Sequence, residues 1–177
     1  FSPNAQRKPL TNYYALDNGR FISYKNKTNW SLEDYIKLLE WAKRQKNKPQ
    51  WALVPDVVAN KEKTLSEYKK YLPLIKQYGF TPAFAVQDGM TKEDVPKSAK
   101  VIFIGGSTEW KWKTLNYWCS NFQHVHVGRV NTRKQLIACF LNGVKSVDGT
   151  GWFRGDKYQL NAIKEYCNGK KISLFGV

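Results

Sequence analysis

Four aspartates in this chain lie at or just beyond the end of a short apolar run: Ala15-Leu16-Asp17-Asn18-Gly19, Leu53-Val54-Pro55-Asp56, Val86-Gln87-Asp88-Gly89 and Ser146-Val147-Asp148-Gly149. A fifth run, Val101-Ile102-Phe103-Ile104, ends in bare backbone at Gly105-Gly106. Two carboxylates on one site, with no metal-ligand cluster, suit acid/base or nucleophilic work at an acetal-like carbon. One attacks a sugar carbon while the other manages protons on the leaving group. Asp148 stands between Val147 and Gly149, where backbone can come close to a substrate. Asp17 precedes Asn18-Gly19, a pair suited to a tight turn that presents a side chain. A single Asp-Gly pair usually marks a loop or a helix cap; several at successive strand ends favour a shared site.

The elements that must position these residues alternate along the chain. Strands are predicted over 13–16, 51–58, 81–86, 101–104, 125–130, 146–147 and 172–175. Between them, Ser31 is a good N-cap for a helix carrying Leu32, Tyr35, Ile36, Leu39 and Ala42 at helical spacing. Thr64 and Glu67 read as a capping box for a second helix closed by Gly79. Thr91-Lys92-Glu93-Asp94 starts a short helix or turn, and further helices are expected over 112–122, 132–141 and 156–166. The stretch with Lys25 and Lys27 reads as a polar loop, and Phe1-Ser2-Pro3 as the tail of a strand that begins upstream. Such alternation specifies an α/β fold with a parallel sheet. Polar residues at nearly every strand end favour a compact (β/α)8 TIM-type barrel over a doubly wound sheet, as one domain over 1–177. Seven strands are legible; the eighth is hidden near Phe1 or absent.

Bulk charge points to the partner. The formal net charge is +15, from 29 Lys and Arg against 14 Asp and Glu, an excess that attracts polyanions, nucleic acid first among them. Lys25, Lys27, Lys61, Lys63, Lys111, Lys113, Arg129, Arg133 and Arg154 flank the strand ends and are candidate nucleic-acid contacts, although each taken alone reads first as an ordinary solvated charge. Trp110, Trp112 and Trp152 lie near the same mouth and are candidates for stacking on a base; the helical spacing of Trp112 and Trp118 favours core packing for that pair. Three dispersed cysteines, Cys119, Cys139 and Cys167, argue for buried, inert thiols rather than a disulfide framework or zinc site. No metal and no cofactor are expected. No apolar run is long enough to span a membrane and the first residues are not a signal peptide, so a cytoplasmic location is expected (the host cytoplasm if the chain is phage-encoded).

The ordered motifs resemble those of the queuine/archaeosine tRNA-guanine transglycosylase superfamily, and most closely its compact, phage-type branch that inserts 7-deazaguanine bases into DNA. The segments that carry the resemblance are Asp17-Asn18-Gly19-Arg20-Phe21, Pro55-Asp56-Val57-Val58, Val86-Gln87-Asp88-Gly89, Ile104-Gly105-Gly106, His126-Val127-Gly128-Arg129 and Ser146-Val147-Asp148-Gly149. They run in the family's order over residues 17 to 152. By that resemblance Asp148 is the nucleophile at C1′ of a guanosine nucleotide and Asp17 the general acid/base. Asp56 and Gln87 read the amino and ring N–H edge of the base, the Gly105-Gly106 backbone meets its O6, and His126 and Gly128 belong to the same substrate pocket. His126 reads equally as a hydrogen-bonded structural histidine.

The sequence departs from the tRNA-modifying members in two respects. Only Cys167 follows Asp148, so no counterpart of their zinc module and no RNA-binding appendage after the barrel are expected. Both favour DNA over tRNA. The expected activity is exchange of guanine in DNA for a free 7-deazaguanine base of the preQ0 type, and a separate partner protein could supply DNA melting or sequence choice. A reduced tRNA-guanine transglycosylase, a guanine-releasing glycosylase and a non-catalytic nucleic-acid-binding barrel are the alternatives.

Overall fold

A computed structural model describes residues 1–3 and 13–149, together with Asn161 and Lys164. Of the helix expected over 156–166 only Asn161 and Lys164 are described, both of them helical; the closing strand over 172–175, and Trp152, Arg154 and Cys167, lie outside the described residues.

Among the described residues, five parallel strands form one sheet: β1 (Ala52–Leu53), β2 (Pro82–Val86), β3 (Val101–Ile104), β4 (Val125–Val127) and β5 (Ser146–Val147), in that spatial order. The run expected as a strand over 13–16 contributes one parallel bridge, Leu16 to Ala52. Phe1 continues the ladder beyond it, its nitrogen donating to the Ala15 carbonyl at 2.8 Å and its carbonyl accepting from the Asp17 N–H at 2.6 Å.

Residues alternate between the two faces of these strands, and the two faces bury different things. Leu16, Ala52, Val54, Phe84, Val86, Ile102, Ile104, Val125 and Val127 pack outward against helix residues such as Leu39, Tyr68, Ile75, Leu115, Trp118 and Leu136. Leu53, Ala83, Ala85 and Val101 turn the other way and gather with Trp51, Ala15 and Phe103 into a separate inner cluster. In a flat sheet β1 and β4 would stand about 14 Å apart, three strand spacings. Yet the rings of Trp51, just before β1, and His126, in β4, have centroids 4.8 Å apart. The sheet is therefore curled into a half-barrel, and the inner cluster is its filling.

The helices bounded among the described residues are α1 (Arg20–Asn26), α2 (Leu32–Arg44), α3 (Lys61–Gln77), α4 (Thr108–Asn121) and α5 (Arg133–Leu141). Ser31 caps α2 by accepting from the Asp34 N–H, with Glu33 and Asp34 at the positive end of the helix dipole and Lys43 and Arg44 at the negative end. Thr132 caps α5 with Gln135 completing a capping box. Lys92–Asp94 forms a single 3-10 turn.

Three local expectations are corrected. The supposed loop with Lys25 and Lys27 is helix α1, which buries no residue of its own. Tertiary contacts hold it instead: Arg20 pairs with Glu67 of α3, and its guanidinium lies 4.0 Å over the Trp30 ring. Helix α3 starts before Thr64, with Asn60 as the cap accepting from the Lys63 N–H. Thr64 is buried and latches the preceding loop, its hydroxyl bonding both the N–H and the carbonyl of Val57. Helix α4 likewise starts ahead of Trp112, capped by Ser107. Cys119 and Cys139 are free, and burial pushes their thiols up to about 11 and about 12, which keeps them unreactive. No helix among the described residues is long and apolar enough to cross a membrane.

Candidate active site

At the carboxyl ends of the strands, the curl turns successive strand-end loops toward one another. The cleft they enclose is lined by Asp17, Asn18, Asp56, Gln87, Gly105, Gly106, Arg129 and Asp148, with Phe21, Leu53, Val58 and Phe103 as its apolar parts. Asp17 stands at the first edge of the described sheet and Asp148 just beyond β5, so the curl of the sheet is what brings the two carboxylates into one cleft.

Asp148 is held from both sides. Its Oδ2 lies 3.0 Å from Nε2 of His126, and its Oδ1 accepts the Arg129 N–H at 2.9 Å. Burial works against its charge, but the His126 hydrogen bond and the electrostatic pull of that ring, with the Arg129 N–H and the Lys111 ammonium, outweigh it and hold the carboxyl below its ordinary range. The side chain remains 48% exposed, so the charge faces an open cleft. His126 is 5% exposed and fixed by packing between Trp51 and Phe103, with centroids at 4.8 and 5.1 Å, while Nδ1 meets the Ser146 hydroxyl at 2.8 Å.

Asp17 is tuned the other way. Burial raises its carboxyl above the ordinary value, and the nearby negative charge of Asp148 adds to the rise, while the Gly19 N–H donating to Oδ1 at 2.8 Å opposes it. The two carboxyls that share the cleft are thus shifted in opposite directions, a division that suits Asp148 to act as a carboxylate and Asp17 to handle protons.

A buried polar rail forms the opposite wall. Asp56 accepts from Asn18 Nδ2 through Oδ1 and from Gln87 Nε2 through Oδ2, both at 2.7 Å. Gln87 Oε1 accepts the backbone N–H groups of Ala59 and Gly106, each at 2.9 Å, which fixes the orientation of its amide. Burial lifts the Asp56 carboxyl to about 6, partly offset by the Asn18 hydrogen bond.

The glycines act differently from the expectation. The Gly106 N–H is engaged by Gln87 and the Gly105 N–H by the Val86 carbonyl, so neither donor points free at a base carbonyl. Gly106 has φ of 68°, and a Cβ there would sit 2.5 Å from Asp88 Oδ2 and 2.8 Å from the Trp110 ring. Gly128 and His126 do not line the cleft. Both stand behind Asp148, and a Cβ on Gly128 would come within 2.5 Å of Phe103.

The expected nucleic-acid contacts divide. Lys25, Lys27, Lys63 and Lys113 are exposed, and Arg133 is partly so. Lys61 is tied to Asp94 at 2.8 Å. Arg129 reaches across the cleft, donating to the Gly106 carbonyl at 2.7 Å and lying 4.1 Å over the Phe21 ring. Lys111 is not a surface contact at all: it is 1% exposed, because it shares the inward face of α4 with Leu115 and Trp118 at helical spacing. Trp118 is fully buried, Trp112 packs partly buried on the core, and Trp110 leans on Trp118 and edges Gly106.

Asn18, Phe21 and Ser146 enter the site without having been singled out. Ser146 had a signal, standing two residues before Asp148 and so on the same strand face. Asn18 and Phe21 had one only through their place in the motif after Asp17. No protein-family model matches the chain, and no curated protein matches it; the geometry carries the functional reading.

Proposed function

We propose that this chain is a guanine transglycosylase of DNA, a base-exchanging enzyme of the tRNA-guanine transglycosylase type built on a full (β/α)8 barrel. The observation that carries this reading is the meeting of Asp17 and Asp148 in one cleft walled by the Asp56–Gln87 rail. Asp148, ionised and open to the cleft, attacks C1′ of a deoxyguanosine. The C1′–N9 bond breaks with its electron pair leaving on guanine, and Asp17 supplies the proton that neutralises the departing base. A free 7-deazaguanine of the preQ0 type then enters and gives a proton back to Asp17. Its ring nitrogen takes C1′, and the electron pair of the ester bond returns to Asp148. Asp56 suits recognition because, with its carboxyl at about 6, it is mostly ionised near neutral pH and accepts from the N1–H and 2-amino group of a guanine-like base. The exposed lysines around the cleft supply backbone attraction, and the target base must leave the stack to reach the rail.

The test is incubation with duplex DNA and a labelled 7-deazaguanine, followed by trapping of protein–DNA adduct. Label should enter DNA, and Asp148→Ala should abolish both label and adduct. Label entering tRNA alone would overturn the choice of DNA, and release of guanine without incorporation would make the protein a glycosylase. Absence of any base exchange or release would leave a binding barrel.

A further inference from the structure

Lys111 is the one lysine among the described residues that is fully buried, and nothing in base exchange as drawn above uses it. On the inward face of α4, beside Leu115 and Trp118, an apolar side chain of the same length would pack without desolvating a charge. Its ammonium instead donates to the Gly128 carbonyl at 2.5 Å and lies 5.3 Å from the Trp112 ring centroid. The Gly128 carbonyl belongs to the same peptide group as the Arg129 N–H, and that N–H donates to Asp148 Oδ1 at 2.9 Å. Cation, peptide dipole and carboxylate therefore stand in line, positive end to negative end. A cation on the carbonyl oxygen draws electron density through the amide and makes its N–H a stronger donor. It also pins the orientation of a peptide that could otherwise rotate, since Arg129 holds a left-handed φ of 61°.

We propose that Lys111 is a positioning residue for Asp148, acting through the Gly128–Arg129 peptide to aim and polarise the N–H that grips the carboxylate. The proposal rests on Asp148 being the working carboxylate of the cleft. The charged or titratable groups that bear on Lys111 are Arg129 and Asp148 from the strand-end loops and Cys139 from α5; His126 faces Asp148 directly. Burial and the Arg129 charge bring the Lys111 ammonium down to about 8, with the Asp148 carboxylate pulling the other way, so the lysine is mostly charged at neutral pH.

The experiment is a carbon NMR titration of protein labelled at aspartate carboxyls, with Asp148→Asn assigning the Asp148 signal. It compares the natural chain with Lys111→Met, which removes donor and charge, and Lys111→Gln, which keeps a donor. The Asp148 midpoint should rise by about half to one pH unit in Lys111→Met, and by less in Lys111→Gln if aiming as well as charge contributes. Arg129 amide shifts should move in the same order. Circular dichroism reports folding, and Lys111→Gln stands alone if Lys111→Met does not fold. An unmoved midpoint in a folded variant overturns the proposal. This readout needs no turnover, so it is decided separately from the transglycosylase reading, which the adduct experiment decides. Where the adduct forms, the variants should slow its formation several-fold and leave DNA affinity unchanged.

Discussion

The buried Asp56 offers a direct measure of what the curled sheet does to a side chain. It is 7% exposed, and burial lifts its carboxyl from the ordinary 3.8 to about 6 against the pull of the Asn18 hydrogen bond. The folded protein therefore binds this proton more tightly than the unfolded chain does. The stability this contributes is fully present below about pH 4 and is lost as the pH rises through about 6. At 1.36 kcal/mol per pH unit the difference is roughly 3 kcal/mol, and so little of the group meets water that screening removes little of it. For a chain of this size that corresponds to about 6–12 °C in Tm. Asp56→Asn removes the titration but also turns an amide N–H toward Asn18 or Gln87, both of which already donate, and this penalty is independent of pH. The quantity to measure is the Tm of the natural chain minus that of Asp56→Asn, by calorimetry at pH 4, 5, 6, 7 and 8. It should fall by most of that range between pH 4 and pH 8, with its midpoint near pH 5, between the unfolded and folded values, and little further change above about pH 6. A difference that stays flat would refute the claim that the cleft wall holds a desolvated carboxylate.

Two further outcomes separate support from contact. His126→Gln should slow adduct formation about ten- to a hundredfold, the effect of losing a hydrogen bond to a charged group worth about 1.5–3 kcal/mol; adduct formation at the natural rate would reduce the ring to packing. Replacing Lys25, Lys27 and Lys63 together by Glu should weaken DNA binding and flatten its salt dependence by up to about three in the log–log slope, measured by fluorescence anisotropy across a salt series. An unchanged slope would place the DNA elsewhere.

Much of the scaffold was legible because it follows from local rules. Ser31 caps the helix it was expected to cap, the helix expected over 132–141 forms with Thr132 as its cap, and unbroken apolar runs such as 101–104 became buried parallel strands. Errors arose where distant partners decide. Helix α1 buries no residue of its own and is held by Arg20 gripping Glu67 and Trp30. Thr64 looked like a cap because its spacing to Glu67 fits one, yet its hydroxyl is taken by Val57 and Glu67 by Arg20. Lys111 was misjudged for a simpler reason: its position relative to Leu115 and Trp118 already put it on the buried face, but a lysine on such a face contradicts its usual preference for water.

The sequence by itself determined that carboxylates and glycines would stand at the ends of parallel strands, because apolar runs set the strands and strand direction sets which end is shared. It also determined the two-residue spacing that puts Ser146 and Asp148 on one face. Tertiary structure decided what those residues became. Curling brought Asp17 and Asp148, more than a hundred positions apart, into one cleft. Burial then raised the proton affinity of Asp17 and Asp56, while His126, the Arg129 N–H and Lys111 lowered that of Asp148. Proton affinity depends on the charges, donors and solvent within a few ångströms, and for these residues nearly all of those come from other elements of the chain.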